Sequence, residues 1–416
     1  MKYISRYSLL VAVALCMLYF IPPITKAVFR QFSPKATVFF SPVIDDFVYS
    51  QSGKNSPTKY FDAAGNEYSR KEYTGLLPFV YTHNLVKWGA YPELIAGRYI
   101  PADEVRQNSF FYSMAPKRVD IDRSRIQLFP LFESSGEFTK VQMPDELFRI
   151  ADRMEFIQGS DLNINEAKTD RFTKALIDVG FSFPAKFIGG NTSTRKPYDF
   201  GYFVIDNAGE VFHIRMFNGE PLVKNTNLPT GIPIDYITVS EDKSNPYFGF
   251  FVTTDGSVYT LAKDGYEYTR LPIEDVDITK EYVRMYSDPI YTMIKTESTD
   301  RTVARVYNKD WSLHKSFTYS KQSYYSKTFQ GFYDALFPFT IKTYKAKSFR
   351  ETLHLELTSH PVCAFGTSFL LAIGYVLFRL FGKKNKRMIS IDGAFIFAGG
   401  IIPFIILIFL GSPRQR

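Results

Sequence analysis

Apolar and polar residues alternate through the middle of this chain in a unit that recurs. Residues 201–219, GYFVIDNAGEVFHIRMFNG, read as an apolar strand, a polar turn, an alternating strand and a second tight turn. Residues 249–265, GFFVTTDGSVYTLAKDG, repeat the sequence of elements. Period-two alternation bounded by such turns predicts antiparallel hairpins. Asn218-Gly219, Asp255-Gly256 and Asp264-Gly265 are dipeptides that take positive φ at little cost. Anchored on its second turn, the unit falls at Gly65, Gly136, Gly219, Gly265 and Asp310, with spacings of 71, 83, 46 and 45. The two shorter spacings match the roughly 40–50-residue period of propeller blades.

The two long spacings contain insertions. Alternation stops over 77–106. The stretch 144–180 carries two helix-like patches: one capped by Asp145 with Leu147, Ile150, Ala151 and Met154 on a face, the other with Phe172, Leu176 and Val179 on a face and Gly180 as its stop. Removing about 25 and about 37 residues restores the period. The pattern predicts a mainly β domain over 26–320, propeller-like, of about five blades with short helical insertions. Pro221, Pro229, Pro233 and Pro272 suit the links between blades. A ring must close, so the strand near 38–43 is expected to pair into the last blade. The alternative is an irregular β-sandwich whose hairpins merely share turn residues.

At the ends the pattern changes to continuous apolar runs. Residues 7–24 carry no charge and follow Lys2 and Arg6. The crowding of Pro22, Pro23 and Lys26 fits a cleavage site poorly, so 1–25 is read as an uncleaved anchor. Residues 362–381 and 393–411 are long enough to cross a bilayer of ~30 Å hydrocarbon thickness. Three transmembrane helices are therefore expected, one N-terminal and two C-terminal. The loop 382–392 between the last two holds KKNKR, and Lys383, Lys384, Lys386 and Arg387 place it in the cytoplasm. Lys2 and Arg6 place the N-terminus there too. The middle domain is then extracytoplasmic, on an inner-membrane protein of several passes with a short tail at 412–416. The link 321–361 mixes aromatic and basic residues, suited to the membrane interface or to a solvated stalk.

Composition sharpens this picture in two places. Aromatic residues make up 17% of the chain, which favours half-buried strand faces. The net charge of +8 is dispersed apart from KKNKR, which argues for membrane flanking and against nucleic acid. The two cysteines, Cys16 and Cys363, lie in apolar runs and cannot staple the middle domain.

The search for chemistry yields no catalytic or metal constellation and implies no cofactor. The five histidines have no second ligand at metal-binding spacing. His213 reads as an exposed or half-buried strand residue. No phosphate-binding glycine loop and no nucleophile elbow occur. The acidic pairs Asp45-Asp46, Asp120/Asp122, Glu274-Asp275 and Asp275/Asp277 read as surface ion-pair networks. Asn191 begins an Asn-Thr-Ser triplet in what reads as an ordinary loop. The insertion at 73–93, YTGLLPFVYTHNLVKWGAYPE, is more distinctive. Binding residues collect on such insertions, which makes Phe79, Tyr81, Leu85, Trp88 and Tyr91 candidates for partner contact. Simple packing of a helix on the sheet is the competing reading. Gly374, Gly399 and Gly400 are candidates for close helix packing.

This insertion and the stretch 41–50, SPVIDDFVYS, with one span before and two after the middle domain, resemble an uncharacterised bacterial inner-membrane protein family. The resemblance covers most of the chain. It implies no activity and no catalytic residue, but it implies partners, since members of that family often accompany components of ATP-driven, ABC-type transporters. This chain has no nucleotide motif, so an ATPase or permease would be a separate chain. The function expected is a non-catalytic binding, sensing or docking component of a membrane complex. The alternative is a membrane-anchored hydrolase or lyase of envelope glycans or peptides, using Asp120, Asp122 and His213 at the mouth of a propeller.

Overall fold

The computed structural model describes residues 2–116, 127–134, 141–196, 198–242, 244–273, 276–345, 351–381 and 386–410. Gly136, Asp120, Asp122, Glu274, Asp275, Lys383 and Lys384 lie outside them. The chain divides into two compact units. Helix α1 (Lys2–Val28) belongs, with the C-terminal helices, to a helical unit made of Met1–Ser33 and Gln322–Arg416. Pro34–Lys321 is a β unit.

The β unit is built of antiparallel meanders in chain order. The first sheet holds β1 (Ala36–Ser41), β2 (Asp46–Gln51), β3 (Lys59–Asp62) and β4 (Glu67–Tyr68). Three short helices follow: α2 (Arg70–Gly75), α3 (Thr82–Lys87) and α4 (Ala102–Asn108). Next comes β5 (Phe110–Met114), then a hairpin of β6 (Glu146–Ile150) and β7 (Met154–Gln158), and helix α5 (Glu166–Asp178). The second sheet is β8 (Phe187–Gly190), β9 (Tyr202–Ile205), β10 (Val211–Phe217) and β11 (Glu220–Asn225). The third is β12 (Ile234–Val239), β13 (Tyr247–Thr253), β14 (Val258–Ala262) and β15 (Tyr268–Arg270). The fourth is β16 (Tyr282–Ser287), β17 (Thr292–Glu297), β18 (Arg301–Tyr307) and β19 (Leu313–Ser320), with β5 added beside β16.

The repeat anchors fall at equivalent places. Gly65, Gly219, Gly265 and Asp310 each lie in the turn between the third and fourth strands of a sheet. Asn218 and Gly219, at φ 51° and 77°, make the twisted two-residue turn that the right-handed pleat prefers. Near Asp310 the left-handed residue is Trp311, at φ 66°.

The sheets are apolar on both faces because they stack on one another. Tyr202, Val204, Phe212 and Ile214 of the second sheet pack on Phe148, Ile150, Met154 and Phe156 of the β6–β7 hairpin and on Phe172 and Leu176 of α5. The alternate residues Phe203, Ile205 and Val211 pack on Ile237, Val239 and Phe251 of the third sheet. That sheet's other face, with Tyr236, Phe250 and Val252, meets Val283, Met285 and Ile294 of the fourth. On the fourth sheet's far side Met293, Ala304 and Val306 meet Val38, Phe40 and Phe47 of the first. Last and first sheets are therefore neighbours. Among the described residues no apolar cluster joins the first sheet to the β6–β7 hairpin.

Two expectations are corrected here. The strand that pairs into the last sheet is β5. β1 pairs with β2 and meets the last sheet face to face, with Lys295 Nζ donating to the Val38 carbonyl at 3.0 Å. The patch at 144–157 is the β6–β7 hairpin and not a helix. Its buried residues Phe148, Ile150, Met154 and Phe156 also fit a period of two, and the α5 face covers them. The second patch is a helix, with Asn165 as its cap, Phe172 and Leu176 buried, and Gly180 beyond its end at φ 87°.

In the helical unit, α6 (Lys327–Leu336) starts at Ser326, whose hydroxyl accepts from Phe329 N–H. A hairpin of β20 (Phe339–Lys345) and β21 (Glu351–Leu357) follows. Then come α7 (Pro361–Leu380), α8 (Lys386–Gly399) and α9 (Ile401–Leu410). Leu10, Ala14 and Leu18 of α1, four residues apart, form a core with Tyr333, Ala372, Ile396 and Ile406. Two helices, over Arg6–Val28 and Pro361–Leu380, are long and apolar enough to cross a membrane. The expected single span at 393–411 is instead broken. Gly400, at φ 72°, ends α8 with its N–H on the Ile396 carbonyl at 2.8 Å, and α9 starts afresh with Pro403 in its first turn.

Candidate functional site

An apolar hollow of functional interest lies where the first sheet, the fourth sheet and the 70–108 insertion meet. It has a volume of about 340 Å3. Phe39 and Phe40 come from β1, Tyr286 and Met293 from the fourth sheet, Phe110 and Phe111 from β5. Phe79 and Val80 come from the loop before α3. Alternation along β1 aims Phe40 into the sheet interface and Phe39 toward Tyr286, whose ring it meets edge-on at 5.4 Å. Val80 and Phe111 are about half exposed and form an open rim.

Asp288 is the polar element of this wall. Its Oδ1 accepts from the N–H groups of Ile290 and Tyr291 at 2.8 and 2.7 Å. Burial pushes its carboxyl up to about 6, against the pull of those donors and of Lys309. Asp242 joins the lining from the β12–β13 loop.

The candidate residues of the insertion part company. Phe79 lines the hollow. Leu85, 2% exposed, is core. Tyr91 packs with Ile95 and Ile100 and donates its hydroxyl to the Ile100 carbonyl at 3.0 Å. Tyr81 and Trp88 line a separate open groove with Arg70, Lys71 and Asn84, and Trp88 is 49% exposed. The packing and binding readings thus both hold, for different residues of one insertion.

Sequence reasoning missed a buried ionic cluster between the second and third sheets. Lys196, on the β8–β9 loop, pairs with Asp199 and, at 3.0 Å, with Glu241, and donates to the Asn191 carbonyl at 2.6 Å. Its ammonium also sits 4.3 Å from the Phe132 ring centre. Burial raises both carboxyls while Lys196 opposes the rise. Asn191 is bound into this cluster through Glu241 Oε2 at 2.6 Å. A Lys and an Asp three residues apart in a loop were the available signal.

His213 is corrected from exposed or half-buried to buried. It stacks on Phe203 at 4.3 Å, and its ring nitrogens bond Tyr266 Oη at 2.9 Å and the Phe200 carbonyl at 2.6 Å. Both nitrogens are thus occupied. Among the described residues no group of three or more metal-ligating side chains occurs. The Asp45-Asp46 pair is an ion-pair site, bonded to His314 at 2.6 Å and to Lys315 at 3.4 Å. Asp277 pairs with Lys280 at 2.7 Å.

The helical unit has a polar centre of its own. Asp392 on α8 is 2% exposed. It accepts from Tyr7 Oη at 2.9 Å and Tyr375 Oη at 3.1 Å, and Arg6 lies 3.4 Å away. Arg379 donates to Tyr375 Oη at 3.0 Å. An ionisable group in an apolar bundle is tolerated when so paired. The cluster brings together the start of α1, the end of α7 and the start of α8. Of the glycine candidates, Gly399 and Gly400 are close-packed: a Cβ on Gly400 would stand 2.6 Å from Pro338 Cδ, and one on Gly399 2.4 Å from Pro403 Cγ. Gly374 meets nothing within 4 Å and floors a groove lined by Leu370, Leu371 and Phe404. Lys386 and Arg387 open α8.

These features define a mainly β protein of stacked meanders joined to apolar helices. The sequence pattern of the family described as a domain of unknown function, DUF4857, matches residues 37–307, and the chain belongs to that family. No curated protein matches it. Among solved structures it is similar to PorZ, described as an essential surface component of the type-IX secretion system of Porphyromonas gingivalis. The identity is 11% and the TM-score 0.21, over 68% of this chain and 26% of PorZ. The chain spans about a quarter of that protein's length.

Proposed function

We propose that this protein is a non-catalytic binding component of a membrane complex. Its β unit is propeller-like, of five units, the β6–β7 hairpin with its bridges at Phe129 and Ile164 being the second in chain order. Sheets covered on both faces, and the contact of last sheet with first, favour a ring over a two-layer sandwich. The reading rests above all on the aromatic hollow beside Phe79, whose walls suit an apolar or aromatic segment of a partner protein. The helices anchor the β unit in the inner membrane with α8 and α9 together making a third crossing, and the β unit is extracytoplasmic. The family resemblance adds permease or ATPase subunits of an ABC-type transporter as partners. A hydrolase reading has less support, since His213 is held on both nitrogens.

The test is photo-crosslinking in cells from position 111 at the rim and position 370 on α7, read by mass spectrometry. Membrane-protein partners are expected at both positions, and Phe79→Ala should remove those at 111. Background-level capture at 111 would sink the reading. Topology is tested with single cysteines after replacing Cys16 and Cys363: an impermeant maleimide should label Ser298→Cys from outside and leave Lys386→Cys untouched.

A further inference from the structure

We propose that the cavity between the second and third sheets, walled by Arg215, Lys224 and Lys263, binds a small oxyanion, the carboxylate or phosphate group of a ligand. This site is separate from the aromatic hollow and goes beyond the reading above. The cavity measures about 340 Å3. β10 and β11 supply one wall. Arg215 and His213 share a face of β10, and Leu222 and Lys224 lie opposite them on β11. The other wall is the β14–β15 turn, with Lys263, Asp264, Gly265 and Tyr266, backed by Phe248.

Three cations thus face one carboxylate, that of exposed Asp264. His213 adds no charge, because burial pushes it down to about 3. Lys263 donates to the Asp242 carbonyl at 2.8 Å and stands 4.5 Å from the Phe200 ring centre, with the Asp242 carboxylate close enough to favour its charged form. Arg215 is the telling residue. Its guanidinium is half-buried, 4.5 Å from the Phe217 ring centre, and its Nε is buried without a hydrogen-bond partner. Among the described residues it forms no ion pair. Asp199, the nearest acidic influence, is spent on Lys196 and on Gly201 N–H at 3.0 Å. A half-buried guanidinium whose Nε is shut off from water without an acceptor is an arrangement that a bidentate oxyanion, reaching Nε and an outer nitrogen together, completes. Leu222, Phe248 and Tyr266 give the same cavity an apolar side, so a ligand that joins an anionic head to a short apolar or ring body fits.

The experiment uses the full chain in detergent micelles, titrated with inorganic phosphate and with benzoate, and with chloride at matched ionic strength as reference. Thermal unfolding and calorimetry give the readout. At least one probe should stabilise saturably beyond chloride, and which one does so separates a phosphoryl from a carboxylate ligand. Arg215→Gln should weaken the binding by roughly tenfold or more, and Lys224→Gln by about three- to tenfold. Should Arg215→Gln unfold the protein, Lys224→Gln, at an exposed position, decides alone. Phe79→Ala should leave this binding unchanged. The proposal is overturned if neither probe exceeds chloride, or if the response persists at full strength in the variants.

Discussion

At the scale of single residues, the stacked sheets make some positions intolerant and others free. Gly249 lies opposite Val239 where β13 pairs with β12, and a Cβ there would stand 1.8 Å from the Thr238 carbonyl oxygen. Backbone cannot yield as a side chain can, so Gly249→Ala should cost about 3 kcal/mol, seen as a lower unfolding midpoint. Gly65, at φ 92° in open space, should lose only about 1 kcal/mol on the same change. Asp288 predicts a pH effect. Its carboxyl moves from 3.8 in the unfolded chain to about 6 in the fold. The fold therefore takes up a proton between about pH 4 and 6, and stability falls as pH rises through that window, then levels. Asp288→Asn keeps the acceptor for Ile290 and Tyr291 and should remove this contribution to the slope, stabilising the protein at pH 7 by at most about 3 kcal/mol. Denaturant titrations at pH 4 and pH 7 would show it, and an unchanged slope would refute it.

At the scale of elements, the turns were the most legible part of the sequence. Gly65, Gly219, Gly265 and Asp310 mark equivalent turns because the backbone there needs positive φ or an Asx bond, and few residues supply either. Helix α5 was legible too, since its apolar face has helical spacing and no competing strand pattern. The β6–β7 hairpin was not. LFRI and MEFI satisfy both periods, and only the neighbouring α5 face and second sheet decide between them. Phe172 joins these elements, so Phe172→Ala should cost about 3–5 kcal/mol. The hollow beside Phe79 was legible only in part. The insertion supplied Phe79, but β1, β5, β16 and β17 supply most of the rest, and nothing local in a sequence says that 39, 110 and 286 share a wall. The break at Gly400 was hidden by uniform apolarity, since hydropathy carries no φ angle. Gly400→Ala must resolve both the left-handed backbone and the contact with Pro338, and should lower the melting point in detergent.

At the scale of the whole molecule, each unit is held by contacts between its earliest and latest segments. In the helical unit these meet at Asp392. Asp392→Ala strips Arg6, Tyr7 and Tyr375 of their shared acceptor and should destabilise the unit by roughly 3–5 kcal/mol, measured as thermal unfolding in detergent. Asp392→Leu combined with Arg6→Leu should recover much of that loss, because no charge is then left unpaired. A double variant as unstable as the single would show that the cluster does not act as a pair. The buried Lys196 cluster was invisible to hydropathy for a related reason: its members are scattered through 191–241 and compensate one another only after folding.

In the β unit the corresponding contact is Lys295 on the Val38 carbonyl, across 257 residues of chain. This sets a timetable for biosynthesis. At roughly 5–20 residues per second, β1 emerges from the ribosome some 13–50 s before the strand that covers it. During that interval Val38, Phe40 and Phe47 have no sheet to rest on. The nascent chain is then most exposed to proteases and to aggregation at its first apolar strands, and an early-binding chaperone would find its target there.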